Sequence, residues 1–256
     1  MIGRRVAVLF AGLGLGAACS PASKGQGGAG KAAGGAGSGD GDAAEEHGAG
    51  DSGAIEPGDS GSPDDTAAPP VVYDPWPFAD GVLSYEPGPG AGFGQDRFPE
   101  IVFGPPEAPG DGGGSLDVLS LGNGGSIVLE LRDLDLVDAE GPDLLVFENP
   151  FVGWYEAGVV GVSLDGLSWV EWPCDPTDSA GMFPGCAGVG IVYSNGSNGV
   201  DATDPAVAGG DAFDLAAIGV DRARFVRIRD AGTNTYDGLS GGFDLDAIAA
   251  VHAEPR

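Results

Sequence analysis

Lysine is absent after Lys31, and histidine is limited to His47 and His252. The 256 residues carry 11 Lys and Arg against 39 Asp and Glu, a formal charge of −28. So acidic a chain is repelled by nucleic acid and by an anionic bilayer surface, which excludes both as expected partners. The shortage of histidine leaves a Ser-His-Asp or Cys-His arrangement without a base in any central position. The Gly-rich stretches 90–94 and 122–125 are followed by no lysine, so they read as turns and not as phosphate-binding loops. No segment sustains a 3.6-residue apolar period, and Phe213–Ile218 is expected to form one helical turn at most. Glycine, by contrast, is abundant: 49 residues, with 20 prolines, a composition of many turns and few long helices.

The N-terminus reads as a processing signal spanning residues 1–18. Arg4 and Arg5 supply its positive start, and the apolar stretch from Val6 to Leu15 is too short to remain as a bilayer-spanning helix. Gly16-Ala17-Ala18-Cys19 then places small residues directly before a cysteine, which resembles the lipobox of bacterial lipoproteins. Leu15 lies one place earlier than that pattern has it. The resemblance implies a mature chain that starts at a lipidated Cys19, and Ser20 after it implies the outer membrane. An ordinary signal peptide cut near Ala18 is the alternative, and it also exports the chain. Residues 19–70 are mostly Gly, Ala, Ser, Asp and Pro, with Ile55 as the one bulky aliphatic residue. Such a segment buries too little apolar surface to offset its ordering entropy, and it reads as an acidic tether. His47 falls within it and reads as a solvated residue.

The folded domain is expected over residues 71–256. Strand candidates are Val82–Tyr85, Ile101–Phe103, Leu116–Leu119, Ser126–Leu131, Leu144–Phe147, Val159–Leu164, Ser168–Trp172, Gly190–Tyr193, Arg224–Arg229 and Phe243–Val251. Many short strands separated by Gly-rich turns point to a single all-β domain, a β-sandwich or barrel. Asp165-Gly166 lies between two β-rich runs and signals a hairpin. In the closing run, Phe243, Leu245, Ala247, Ala249 and Val251 are expected on one face, with Asp244 and Asp246 on the other.

Ser163–Trp169 has the form Ser-x-Asp-Gly-x-x-Trp. Followed by Ala223–Ile228 and the closing run, it is similar to the galactose-binding-like jelly rolls, including the discoidin domains. The wider set of Gly114–Leu131, Asp143–Phe151 and Gly209–Leu215 resembles a module of bacterial cell-surface proteins. The resemblance covers residues from about 80 to 252. It implies a jelly-roll β-sandwich, and it implies no particular activity, because that superfold hosts sugar, lipid and protein binders alike.

Cys174 and Cys186 remain as a pair in an exported chain and read as a disulfide. Zinc is the weaker reading, since two Cys without further ligands leave its tetrahedron unfilled. Asp244 and Asp246 on one strand face would lie about 7 Å apart and repel unless a cation or donor sits between them. Calcium takes six to eight oxygens, often from irregular Gly-rich loops. Its expected ligands are Asp117, Glu148, Asp244 and Asp246, with Asp143, Asp211 and Asp214 behind them. The jelly-roll resemblance implies a structural calcium between an early loop and the last strand, which favours Asp117 and Asp246. The competing reading is that these residues cap turns and solvate a face.

For function, the leading expectation is a surface module that presents Trp154, Tyr155, Trp172 and Tyr236 to carbohydrate or another surface polymer. The competing reading for these aromatics is core packing, above all for Trp169 and Trp172 in the hairpin. The alternative is a structural or adhesive surface protein with no small-ligand pocket. A glycan-processing enzyme is the least supported reading: it needs two carboxylates, such as Glu148 with Glu156 or Glu171, and a chain this acidic offers such pairs by chance.

Overall fold

A computed structural model describes residues 76–107, 109–110, 113–149, 154–233 and 241–256. The leader with Cys19, the acidic tether, the first residues of the expected domain and Tyr236 lie outside the described residues. Everything described belongs to one compact unit, Ala67–Arg256. No helix among the described residues is long and apolar enough to cross a membrane.

The structure is nearly all β, and all of its strand pairs are antiparallel. In chain order the strands are β1 (Gly81–Glu86), β2 (Leu119–Ser120), β3 (Ser126–Glu130), β4 (Leu134–Val137), β5 (Leu144–Glu148) and β6 (Gly158–Ser163). After them come β7 (Val170–Glu171), β8 (Asp211–Phe213), β9 (Arg222–Ala223), β10 (Phe225–Asp230), β11 (Asp244–Ala250) and β12 (Ala253–Pro255). They form a five-stranded sheet ordered β1-β3-β10-β6-β7, a four-stranded sheet β2-β11-β5-β8 and a small sheet β12-β4-β9. The two larger sheets share one core, as in a β-sandwich. Ile127, Leu129, Val160, Val162, Val226 and Ile228 from the first meet Leu144, Val146, Leu245 and Ile248 from the second. Alternate residues of a strand point to opposite faces, so each of these runs buries one face against the other sheet.

Six expected strands sit within a residue or two of observed ones, namely β1, β3, β5, β6, β7 and β10. The closing run is β11, but its face assignment differs. Its pairing with β5 shifts between Leu245 and Ala247, which leaves Asp246 in a bulge. Phe243 and Leu245 face the main core and so do Ile248 and Ala250, whereas Ala247 and Ala249 join a second apolar cluster with Phe78, Leu145 and Phe147. One extra residue thus inverts the alternation.

Other expectations need correction. Ile101–Phe103 is not a strand, because Glu100–Val102 forms a 3-10 turn. The strand expected at Leu116–Leu119 narrows to Leu119–Ser120. Gly190–Tyr193 contributes a single bridge, Val192 to Gly209, since the amides of Gly188, Val189 and Gly190 all donate to Asp211. Asp165-Gly166 does not make a two-residue turn. Only Gly166 has positive φ, 73°. The Asp165 carboxylate accepts the amides of Leu167 and Ser168 at 2.8 and 2.7 Å, so the side chain shapes a longer loop between β6 and β7. The helical turn after Phe213 is present at Leu215–Ile218, capped by Asp214 and ended by Gly219 at φ 67°.

Cys174 and Cys186 form the disulfide, 12 residues apart in sequence. In the chain-entropy model, closing so short a loop stabilises by about 3 kcal/mol. Replacing both cysteines by serine is expected to lower stability by up to that amount, read from urea melts; an unchanged midpoint contradicts it. Phe243 is fully buried, and a Cβ on Gly158 would meet its ring at 2.5 Å. Gly158→Ala is therefore expected to cost about 1–3 kcal/mol by overpacking, and a wild-type midpoint for this variant overturns the packing described.

Candidate functional site

Acidic side chains collect at one end of the gap between the two larger sheets. Glu148 ends β5 and pairs across to Leu245 of β11, so it lies beside Asp244, whose amide donates to it. Glu156 precedes β6, Asp230 ends β10 and Asp211 begins β8. The cluster therefore draws on strands of both sheets. Glu148 is 1% exposed, Glu156 5% and Asp244 7%.

The fold satisfies these groups unequally. Asp211 accepts the amides of Gly188, Val189 and Gly190 at 2.7, 3.1 and 2.9 Å. Asp230 accepts those of Gly124, Gly232 and Phe243 at 2.7, 2.7 and 3.0 Å. Glu148 Oε2 and Asp244 Oδ1, in contrast, are buried with no hydrogen-bond partner among the described residues. Burial is the main force raising the carboxyl pKa values here, because a dry site disfavours the charged form. It raises Glu148 well above its usual range, with the charges of Asp244, Glu156 and Asp211 adding to it. Glu156 is pushed up to about 8 by burial and then by Asp244 and Asp230. Asp244 is pushed up to about 6 by burial, opposed by a hydrogen bond with Ser120.

A second acidic group lies elsewhere. Asp138, Asp143 and Asp214 each offer a ligand oxygen, all within 4.8 Å of one another, and this group could hold a metal ion. The two oxygens of Asp143 already accept the amides of Ala139 and Leu215, at 3.0 and 2.8 Å, and Oδ1 lies 2.8 Å from His252 Nδ1. Asp214 accepts the amide of Ala216. Local structure thus accounts for most of what these side chains do.

Of the four expected metal ligands, Glu148 and Asp244 come together. Asp246, in the bulge, accepts the Glu107 amide on both oxygens at 3.0 and 3.2 Å. Asp117 is exposed and pairs with Arg97. Of the two ligands that the jelly-roll resemblance favours, Asp117 is thus paired with an arginine and Asp246 with a backbone amide. Glu156 was not among the expected ligands. Nothing in its local sequence marks it, since Trp154-Tyr155-Glu156 has no metal-ligand spacing.

Arg97 and Asp117 instead border an open crevice of about 460 Å³ lined also by Glu100, Ile101, Phe103, Pro105 and Glu107. Arg97 donates to the Leu116 carbonyl at 2.8 Å as well. Among the aromatics, Trp154 is half-exposed, and the Tyr155 ring lies 6.4 Å from that of Phe183. Trp172 is core: it packs on Phe213 and donates its Nε1 hydrogen to the Asp214 carbonyl at 2.9 Å. Arg227 stacks over Trp169, 4.4 Å from the ring centre. The sequence matches no protein-family model and no curated protein.

The raised pKa values fix a sign for the ion-free protein. A carboxyl whose folded pKa exceeds its unfolded one contributes stability that is complete below the unfolded value and is lost as pH rises through the folded value. For Asp244 and Glu156 that window runs from their ordinary values of 3.8 and 4.5 up to about 6 and about 8. In the presence of a chelator, the melting temperature is expected to fall between pH 5 and pH 8, and Glu156→Gln should flatten the upper part of that fall. A melting temperature that rises across this range contradicts the burial described.

Proposed function

We propose that the chain is an exported lipoprotein, anchored at the outer membrane through Cys19. On this reading its folded part is a calcium-stabilised, non-catalytic β-sandwich of the galactose-binding-like kind that binds carbohydrate or another surface polymer. The crevice between Arg97 and Glu107 carries this reading. Small-molecule sites are concave, largely apolar and set with a few convergent polar groups. Ile101, Phe103 and Pro105 supply an apolar floor, and a sugar ring presents C–H faces suited to it. Glu100, Glu107 and Asp117 offer acceptors for hydroxyl groups, and Arg97 offers donors. Trp154 adds a half-exposed ring elsewhere on the surface.

The crevice favours this reading over a purely structural surface protein. Burial weighs against a glycosidase: Glu148 and Glu156 do come together, but at 1% and 5% exposure they leave no room for a sugar between them. Glu171, the other candidate partner, is engaged by Arg227 and Arg229 at 3.1 and 3.4 Å.

A glycan array probed with the mature chain is expected to give a defined set of saccharides. Arg97→Ala and Glu100→Ala should each weaken binding by about tenfold, some 1.4 kcal/mol, with the melting temperature unchanged. If the wild-type protein binds no saccharide, or both variants bind as it does, the reading falls. For the anchor, mass spectrometry of the N-terminal peptide from membranes should show an acylated Cys19. A soluble chain that starts at an unmodified Ser20 or Pro21 contradicts it.

A further inference from the structure

We infer that Glu148, Asp244 and Glu156 form a divalent-cation site between the two larger sheets, with calcium as the ion that fits. This assignment rests on the proposed calcium-stabilised module and gives its ion a position. The argument starts from a contrast within one cluster. Asp211 and Asp230 are each saturated by three backbone amides, so this fold can satisfy a buried carboxylate with donors of its own. It does not do so for Glu148 Oε2 or Asp244 Oδ1, which are sealed from solvent with no partner among the described residues. Buried polar atoms are almost always bonded, and an orphaned one in a native fold requires a cause. For anionic oxygen the natural cause is a cation.

The donor set identifies the class of ion. The cluster offers carboxylate oxygens and no sulfur or imidazole, which suits a hard cation and excludes a structural zinc site. Calcium accepts irregular geometry and more ligands than magnesium, which demands a near-ideal octahedron and keeps its waters. Glu148 and Asp244 are neighbours across β5 and β11, and Glu156 approaches from the start of β6, which makes an irregular set. Since β5 and β11 belong to one sheet and β6 to the other, an ion here ties the sheets together at the end of the gap. The Asp138, Asp143 and Asp214 group lacks this property, because both oxygens of Asp143 are already bonded.

The test is calorimetric titration of the chelator-stripped mature chain with calcium chloride at fixed ionic strength, paired with thermal melts. One calcium per chain is expected, with magnesium binding more weakly. Glu148→Gln and Asp244→Asn should each abolish the binding heat. Both should also melt at or near the ion-free wild type, because the amide keeps the shape of the carboxyl and leaves no buried anion without a partner. That second readout separates ligation from a merely structural role, in which the variants would melt lower. Asp138→Asn should bind calcium as the wild type does. Absence of stoichiometric calcium binding, or retention of it in both Glu148→Gln and Asp244→Asn, overturns the assignment, and loss of it in Asp138→Asn moves the site to the other acidic group. Loss of glycan binding with calcium binding intact overturns only the crevice reading, and the reverse outcome overturns only this one.

Discussion

A carboxylate taken out of water must be paid for by a proton, by donors or by an opposite charge. This structure uses the available answers side by side. Asp211 and Asp230 are held by backbone amides from glycine-rich loops. Asp135, 6% exposed, lies under arginines, with Arg224 Nε at 3.0 Å, Arg222 at 3.3 Å and Arg256 at 3.9 Å. Glu148 accepts the Asp244 amide and Asp244 bonds with Ser120, but each keeps one buried oxygen without a partner among the described residues, and their positions follow from the pairing of β5 with β11 that builds the second sheet. The bulge at Asp246 is part of the same arrangement. It directs Asp246 to the Glu107 amide, so the strand that carries Asp244 also pins one wall of the crevice.

The few cations of this acidic domain are spent locally. Arg97 pairs with Asp117, Arg222 with Asp135 and Glu254, and Arg227 and Arg229 share one oxygen of Glu171. The pairs at Asp117, Glu254 and Glu171 are exposed and contribute little stability. Their role is placement: Arg97 shapes the crevice rim, and Arg227 covers one face of Trp169. The remaining carboxylates keep the surface strongly negative, which draws divalent cations toward the domain.

Much of the fold was legible because apolar alternation and β-branched runs depend only on local sequence. Leu144–Glu148 and Phe225–Asp230 could be read that way. The short strands Leu134–Val137, Arg222–Ala223 and Ala253–Pro255 could not, since their pairing depends on partners far along the chain. The Asp246 bulge was invisible for a related reason: an inserted residue is defined only by the strand opposite it. At the site, Glu148 and Asp244 were picked out by their acidity near strand ends. Glu156 was not expected in this cluster because only the approach of the second sheet brings it there. Asp117 looked equally suitable until Arg97, 20 residues away, was found beside it.

The central claim, that a cation completes the buried carboxylate cluster, is tested most directly by anomalous diffraction from crystals of the protein grown with calcium or a lanthanide substitute. The account predicts one strong anomalous peak between the sheets, with Glu148 and Asp244 oxygens at calcium distances of about 2.3–2.6 Å and Glu156 completing the protein ligands. A map with only water or a closed carboxyl pair at that position, or with its sole peak among Asp138, Asp143 and Asp214, would contradict it.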